Sequence, residues 1–136
     1  MRQIVYHSLC TAPGDGADLP RILEQSRHNN AIDGITGLLW SDGMRFLQVF
    51  EGPAESVAPT WARIRSDSRH NAITIVHDRP IVAREFGYWT MAYRRGSEPS
   101  DVYDGHMRYV LAYASPDVSR PFLEMISTGE VGGSIT

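Results

Sequence analysis

The stretch "RFLQVFEG", residues 45–52, decides how this chain is read. Its aromatic and branched residues make it a β-strand. Successive strand side chains point to opposite faces, so Phe46, Gln48 and Phe50 share one face. A primary amide therefore sits between two phenylalanines. It carries two donors and two acceptor sites, and burying them unpaired costs about 1–3 kcal/mol. Its neighbours on the strand offer no partner.

Before it comes "GITGLLWSDGM", residues 34–44. Asp-Gly between two β patterns predicts a hairpin. With Asp42-Gly43 as a two-residue loop, Leu39 would face Phe46 and Gly37 would face Gln48. Cross-strand partners share a face. That face would hold Gly37, Leu39, Phe46, Gln48 and Phe50, with empty space left by Gly37 opposite the amide.

Further out, "RQIVYHSL" (2–9) predicts a first strand with Ile4, Tyr6 and Ser8 on one face. "TAPGDGAD" (11–18) is a loop that ends on Asp18, an N-cap for a helix through "LPRILEQSRHNN" (19–30). Its inward stripe, Leu19, Ile22, Leu23 and Ser26, runs on to Asn29 and Asn30. "GPAESVAPTWARIRSDSRH" (52–70) predicts a second helix with Val57, Trp61 and Ile64 inward. Pro59 requires either a start capped at Ser56 or a kink. "AITIVH" (72–77) and "YWTMAYR" (88–94) are further strands, the last with Trp89, Met91 and Tyr93 on one face. The order βαββαββ predicts an α+β, ferredoxin-like sheet with both helices on one face.

The tail from Asp101 differs. "HMRYVLAYAS" (106–115) and "DVSRPFLEMISTG" (117–129) predict two short helices, the second capped by Ser119 before Pro121 and closed by Gly129. They are expected to cover the other sheet face, or else to form a dimer interface. The expected division is a domain over residues 1–97 and a C-terminal helical extension over 98–136.

Bulk properties exclude several classes. A net charge of −3 without a Lys/Arg cluster gives no footprint for nucleic acid. No apolar run approaches the ~20 residues that span a bilayer. "MRQIVYHSL" enters a strand directly and lacks a signal-peptide core. A single cysteine, Cys10, rules out an internal disulfide and suits a reducing cytoplasm. It has no recognisable histidine partner for nucleophilic work. The five histidines show no zinc-ligand spacing, so no metal site is expected.

The polar residues at inward positions are Tyr6, Asn29, Asn30 and Gln48, with Arg63 and Asp67 spaced i, i+4 beside Ile64. Each has an ordinary reading. Asn at a helix end is a C-cap, Tyr in a strand is packing, and an Arg–Asp pair on a helix is a solvated contact. Trp89 and Met91 read as plain core. Gln48 resists such a reading. Together the set is rich in amides and poor in acids and bases, which suits holding a planar heterocycle rather than turning over a substrate.

The stretches "IVYHS", "HNNAIDGITGLL", "RFLQVFEGP", "RIRSDSRH" and "FGYWTMAY" run in order over residues 2–95. In this combination the chain resembles the BLUF domain, a flavin-binding blue-light sensor. The resemblance implies a cofactor, FAD or else FMN or riboflavin. It implies that Tyr6 is the photoactive electron and proton donor, and that Gln48 is the switch amide beside the flavin. Asn29 and Asn30 would bind the polar edge of the ring, Arg63 and Asp67 would lie near its pyrimidine end, and Ile22 and Ile64 would clamp its faces. Trp89 and Met91 match the last-strand pair that exchanges proximity to the switch glutamine. The short helical tail resembles stand-alone members, which carry no effector domain. They signal to a partner protein and often assemble as homo-oligomers. Two features fall outside the pattern: the loop "CTAPGDGAD" and Pro59. The alternative is a small hydrolase resembling acylphosphatase. It would need an Arg in a phosphate cradle after the first strand, where this loop is acidic and has none. A third reading is a partner-binding domain with a satisfied polar core and no ligand.

Overall fold

The computed structural model describes residues 1–10, 33–41, 45–68, 70–86, 90–92, 111–112 and 114–128. The predicted helix over 18–30, and with it Ile22, Asn29 and Asn30, lies outside the described residues, as does Trp89. The chain divides into two compact units, Met1–Tyr93 and Arg94–Thr136.

The first unit is α+β. Its strands are β1 (Arg2–Cys10), β2 (Thr36–Ser41), β3 (Arg45–Gly52), β4 (His70–Pro80) and β5 (Thr90–Ala92), and its described helix is α1 (Ala54–Ser66). They form one sheet in the order β4-β1-β3-β2-β5. β1 runs antiparallel to both β3 and β4, β2 runs antiparallel to β3, and β5 joins β2 in parallel. Strand β3 is the middle of the sheet and is buried from Leu47 to Gly52. The alternation read from the sequence explains how it serves two faces at once.

On the face toward α1, Ile4 and Tyr6 of β1, Leu39 of β2 and Phe50 of β3 pack with Ile35 and with Val57 and Trp61 of the helix. Phe46, Ile64 and Ile73 close the margins of this cluster. Burying a side chain such as Phe50 contributes about 1.5–3 kcal/mol, so this cluster anchors α1 to the sheet.

The hairpin forms, but two residues out of the predicted register. Leu39 lies opposite Gln48, Gly37 opposite Phe50, and Ser41 opposite Phe46. A shift of two leaves each side chain on its predicted face. It does change who sits beside the amide, because Gly37 leaves no space there. A Cβ on Gly37 would collide with the Val49 carbonyl oxygen and lie 2.9 Å from Phe50 Cα. Glycine is required by close backbone approach, not to make room for a guest.

Helix α1 begins two residues before Ser56. The Ser56 and Val57 amides both donate to the Pro53 carbonyl, at 2.9 Å each, and no side chain caps the end. The stripe Val57–Trp61–Ile64 packs along the sheet from within this helix. Pro59 falls inside the helix and leaves the Glu55 carbonyl without its i+4 donor. Glu55 in the first turn and Arg63 and Arg65 in the last complement the helix dipole. Strand β4 is longer than predicted at both ends.

In the second unit, α2 spans Pro116–Thr128. The Val118 and Ser119 amides donate to the Ser115 carbonyl at 3.0 and 2.9 Å, so the helix is entered at Ser115 and the predicted cap at Ser119 lies inside it. Val118 and Phe122, one turn apart, are buried.

Candidate functional site: a buried phenol and amide

Tyr6 and Gln48 are direct cross-strand partners on β1 and β3. Both are nearly fully buried, at 4% and 6% exposure, which answers where the Gln48 amide finds a partner. The Tyr6 hydroxyl donates to Gln48 Oε1 in a short hydrogen bond. That turns Nε2 of the amide away from the phenol. Burial, with the Asp67 charge adding to it, pushes the phenol above its ordinary titration range. The hydroxyl therefore stays protonated, and a donor, at any physiological pH.

Aromatic rings hold the phenol in place. Trp61 of α1 lies 5.1 Å from the Tyr6 ring centroid, tilted by 52°, and Phe50 meets the same ring edge-on at 6.3 Å. Arg65 sits over the Trp61 indole, 5.5 Å from its centroid. His70 ties the end of α1 to β1. Its Nε2 lies 2.6 Å from the Ile64 carbonyl oxygen and its Nδ1 lies 2.7 Å from Ser8 Oγ. A carbonyl only accepts, so Nε2 donates to Ile64, and Nδ1 shares its hydrogen bond with the Ser8 hydroxyl. The His70 ring also meets Tyr6 and Phe46, at 6.1 and 6.2 Å.

Of the other predicted site residues, Ile64 is half-buried at the edge of the cluster. The structure places Arg63 against Asp33, with its guanidinium 3.1 Å from Oδ2 and 3.2 Å from Thr60 Oγ1. This fastens α1 to the segment entering β2, with the Arg63 side chain half-exposed. Asp67 is the C-cap position of α1, where its amide donates to the Ile64 carbonyl. Met91 lies in β5, two residues after the predicted Trp89 position; its side chain is not among those described.

The arrangement suits a neutral planar heterocycle. A phenol and an amide supply neutral donors and acceptors from the sheet, Ile64 supplies apolar contact from the helix, and Arg63 supplies a cation at the helix end. Residues 1–92 match the family of sensors of blue light using FAD. The chain belongs to the BLUF family. It is thus a member of a family of flavin-binding blue-light photoreceptors, with FAD as the family's cofactor.

The relatives of this BLUF chain agree. It is 36% identical over 89 residues to the photoactivated adenylate cyclase subunit beta of Euglena gracilis, covering 65% of this chain and 10% of that one. The chain thus spans about a tenth of the length of these cyclase subunits. Among solved structures, the dark state of BlrB, a BLUF protein, superposes with a TM-score of 0.65 at 30% identity, covering 95% of this chain and 86% of that one. BlrP1 of Klebsiella pneumoniae, solved with FMN and cyclic diGMP, superposes at 0.74 with 25% identity, over 94% of this chain and 35% of that one. The acylphosphatase-like alternative finds no support among them.

The sequence reading missed the second polar pair of these strands, Gln3 and Glu51, which are also cross-strand partners and fully buried. The signal was present. Leu47, Val49 and Glu51 share the face opposite Gln48, so a carboxylate continues an apolar row.

Proposed function

We propose that Tyr6 and Gln48 form the light-responsive switch of this chain, with flavin held against them. The observation that carries this is the buried hydroxyl–amide hydrogen bond between direct cross-strand partners. A bound flavin supplies the chemistry, absorbing blue light and becoming a strong oxidant in its excited state.

The chain's own residues do the rest. Gln48, Arg63, Ile64 and Asp67 would hold the ring from the sheet and α1, and Ile22, Asn29 and Asn30 from the preceding helix. Trp61 and Phe50 exclude water from the phenol and fix its orientation. Giving an electron to the bound flavin would make the Tyr6 phenol a strong acid. The Tyr6 proton then has an acceptor already in place at Gln48 Oε1. When electron and proton return to Tyr6, the amide can settle rotated or tautomerised, with Nε2 and Oε1 exchanging roles. Each exchanged hydrogen bond is worth about 1 kcal/mol, and about 1.4 kcal/mol shifts a two-state output tenfold. One or two bonds therefore drive modest signalling rather than an all-or-none change. Trp89 and Met91 on or beside β5 would read the amide's state.

The strand order, with β3 between the parallel pair β1 and β2, supports the ferredoxin-like arrangement, and β5 extends it. In this reading residues 1–97 are the sensor and 98–136 the output extension. The chain is non-enzymatic, works in the cytoplasm as a homo-oligomer, and passes its state to a separate effector protein. Its similarity to BlrB over most of both chains supports this stand-alone role. No helix among the described residues is long and apolar enough to cross a membrane.

The test is a visible spectrum of the purified protein in the dark and after blue light. The expected protein is yellow, with a flavin band that moves reversibly to the red. Colourless protein that takes up no added flavin would sink this reading.

A further inference from the structure

The face of the sheet opposite Tyr6 and Gln48 carries a second buried polar assembly. Glu51 accepts from two elements at once, with Phe86 N at 2.6 Å from Oε1 and Gln3 Nε2 at 2.9 Å from Oε2. Gln3 in turn accepts at Oε1 from His77 Nε2, at 2.9 Å. Gln3 and Glu51 are fully buried and Phe86 nearly so. A carboxylate is an acceptor only, so it fixes the Gln3 amide with Nε2 toward Glu51 and Oε1 toward β4.

The assembly joins β1, β3 and β4 to the segment 81–86, which leads to β5. Arg84 adds a tie from this segment, 3.0 Å from Thr36 Oγ1 of β2 and 3.5 Å from the Glu51 carbonyl oxygen. Next to Phe86, Glu85 holds a buried carboxylate oxygen, Oε2, that has no hydrogen-bond partner among the described residues. The Glu85 charge acts against the Glu51 carboxylate, while hydrogen bonds from Phe86, Gln3 and the Glu85 backbone hold it. An element held by such opposed terms responds to small changes in geometry.

We infer that Glu51 is a positioning residue for signal output: the Glu51–Phe86 hydrogen bond is a latch on the segment entering β5, and it loosens when the Tyr6–Gln48 pair rearranges. The link is the strand pair itself. Gln3–Glu51 and Tyr6–Gln48 are partners on the same two strands, about 10 Å apart along them. A change in spacing or twist of β1 against β3 at one pair displaces the other. Glu51 faces away from the phenol and does not take part in the photochemistry. This inference rests on the proposed switch at Tyr6 and Gln48.

The test is hydrogen exchange of the Phe86 amide in the flavin-loaded full chain, in the dark and under continuous blue light, with the flavin band recorded on the same sample. The Phe86 amide is expected to exchange about tenfold faster in the light. Glu51→Gln replaces a charged acceptor with a neutral one and puts a donor toward Gln3. It should keep the red shift, exchange rapidly at Phe86 already in the dark, and show no further change in the light. A shifted flavin band with unchanged Phe86 exchange in the unmodified protein overturns the latch and leaves the switch standing. A flavin band that fails to shift overturns both. If Glu51→Gln does not fold, the unmodified protein decides alone.

Discussion

The strand pair β1–β3 buries two polar couples of opposite character on its two faces. Tyr6–Gln48 is neutral, joined by a hydroxyl–amide bond and packed among aromatic rings. Gln3–Glu51 is charged, and the carboxylate is held by Gln3, by Phe86 N–H and by the neighbouring Glu85 backbone. A neutral bond contributes about 0.5–1.5 kcal/mol net and can be exchanged at small cost. A buried carboxylate that loses its donors costs several kcal/mol. One face exchanges a neutral bond; the other pins the segment 81–86 through a carboxylate and lets it go only when the strand pair shifts.

The sharpest way to break the contrast is Tyr6→Phe. The ring contacts to Trp61 and Phe50 survive and flavin still binds, but the red shift is lost entirely. A normal shift in the visible spectrum would remove Tyr6 from its role. Next, Trp61→Ala removes the ring that covers the phenol, at an expected cost of about 3–5 kcal/mol in chemical denaturation. Gln48→Leu should bind flavin and fail to switch normally, and losing the partner of the buried hydroxyl should cost about 1–3 kcal/mol in the same assay.

The charged face predicts a pH dependence. Burial raises the Glu51 carboxyl above its usual 4.5, the hydrogen bonds from Phe86, Gln3 and Glu85 partly oppose this, and the Glu85 charge adds to it. The folded state then binds the proton more tightly than the unfolded state. The resulting stability is complete below the unfolded value and is lost as pH rises through the folded one. Denaturation midpoints should therefore fall with pH above 4.5, and Glu51→Gln should flatten that slope. The smallest effect belongs to the partly exposed pair Arg2–Asp78, with contacts of 2.8 and 2.6 Å. Arg2 holds the Asp78 carboxyl below 3.8, so its contribution is present above that pH and is lost on acidification. Arg2→Ala should cost at most about 1 kcal/mol at neutral pH.

The period-2 pattern made the faces of β1 and β3 legible from sequence and turned Tyr6 and Gln48 inward; only the family resemblance implied that they lie together. It could not set the hairpin register, because a slip of two residues preserves every face; only the turn geometry distinguishes the two. That slip moved Gly37 away from the amide and showed its role to be close packing. The sequence left open whether α1 starts at Ser56 or carries Pro59 inside it; the structure takes the second course, with Pro53 at the N-cap position. The Arg63 partner was not legible either, since Asp33 lies on a different element. Glu51 was passed over because a carboxylate that continues an apolar row signals burial but does not name its partners. Its donors come from β1 and from a segment thirty-five positions away.

Strand β4 is the end of the described sheet order, and it is uneven. Its pairing with β1 slips between Val5 and Tyr6 and again between His7 and Leu9, and Ala72 adopts a left-handed φ of 52°. Its outer row of amides and carbonyls is therefore out of step with any straight strand laid beside it. Two copies of this chain that meet edge to edge would find few bonds to exchange. The irregular margin disfavours edge-to-edge pairing along β4.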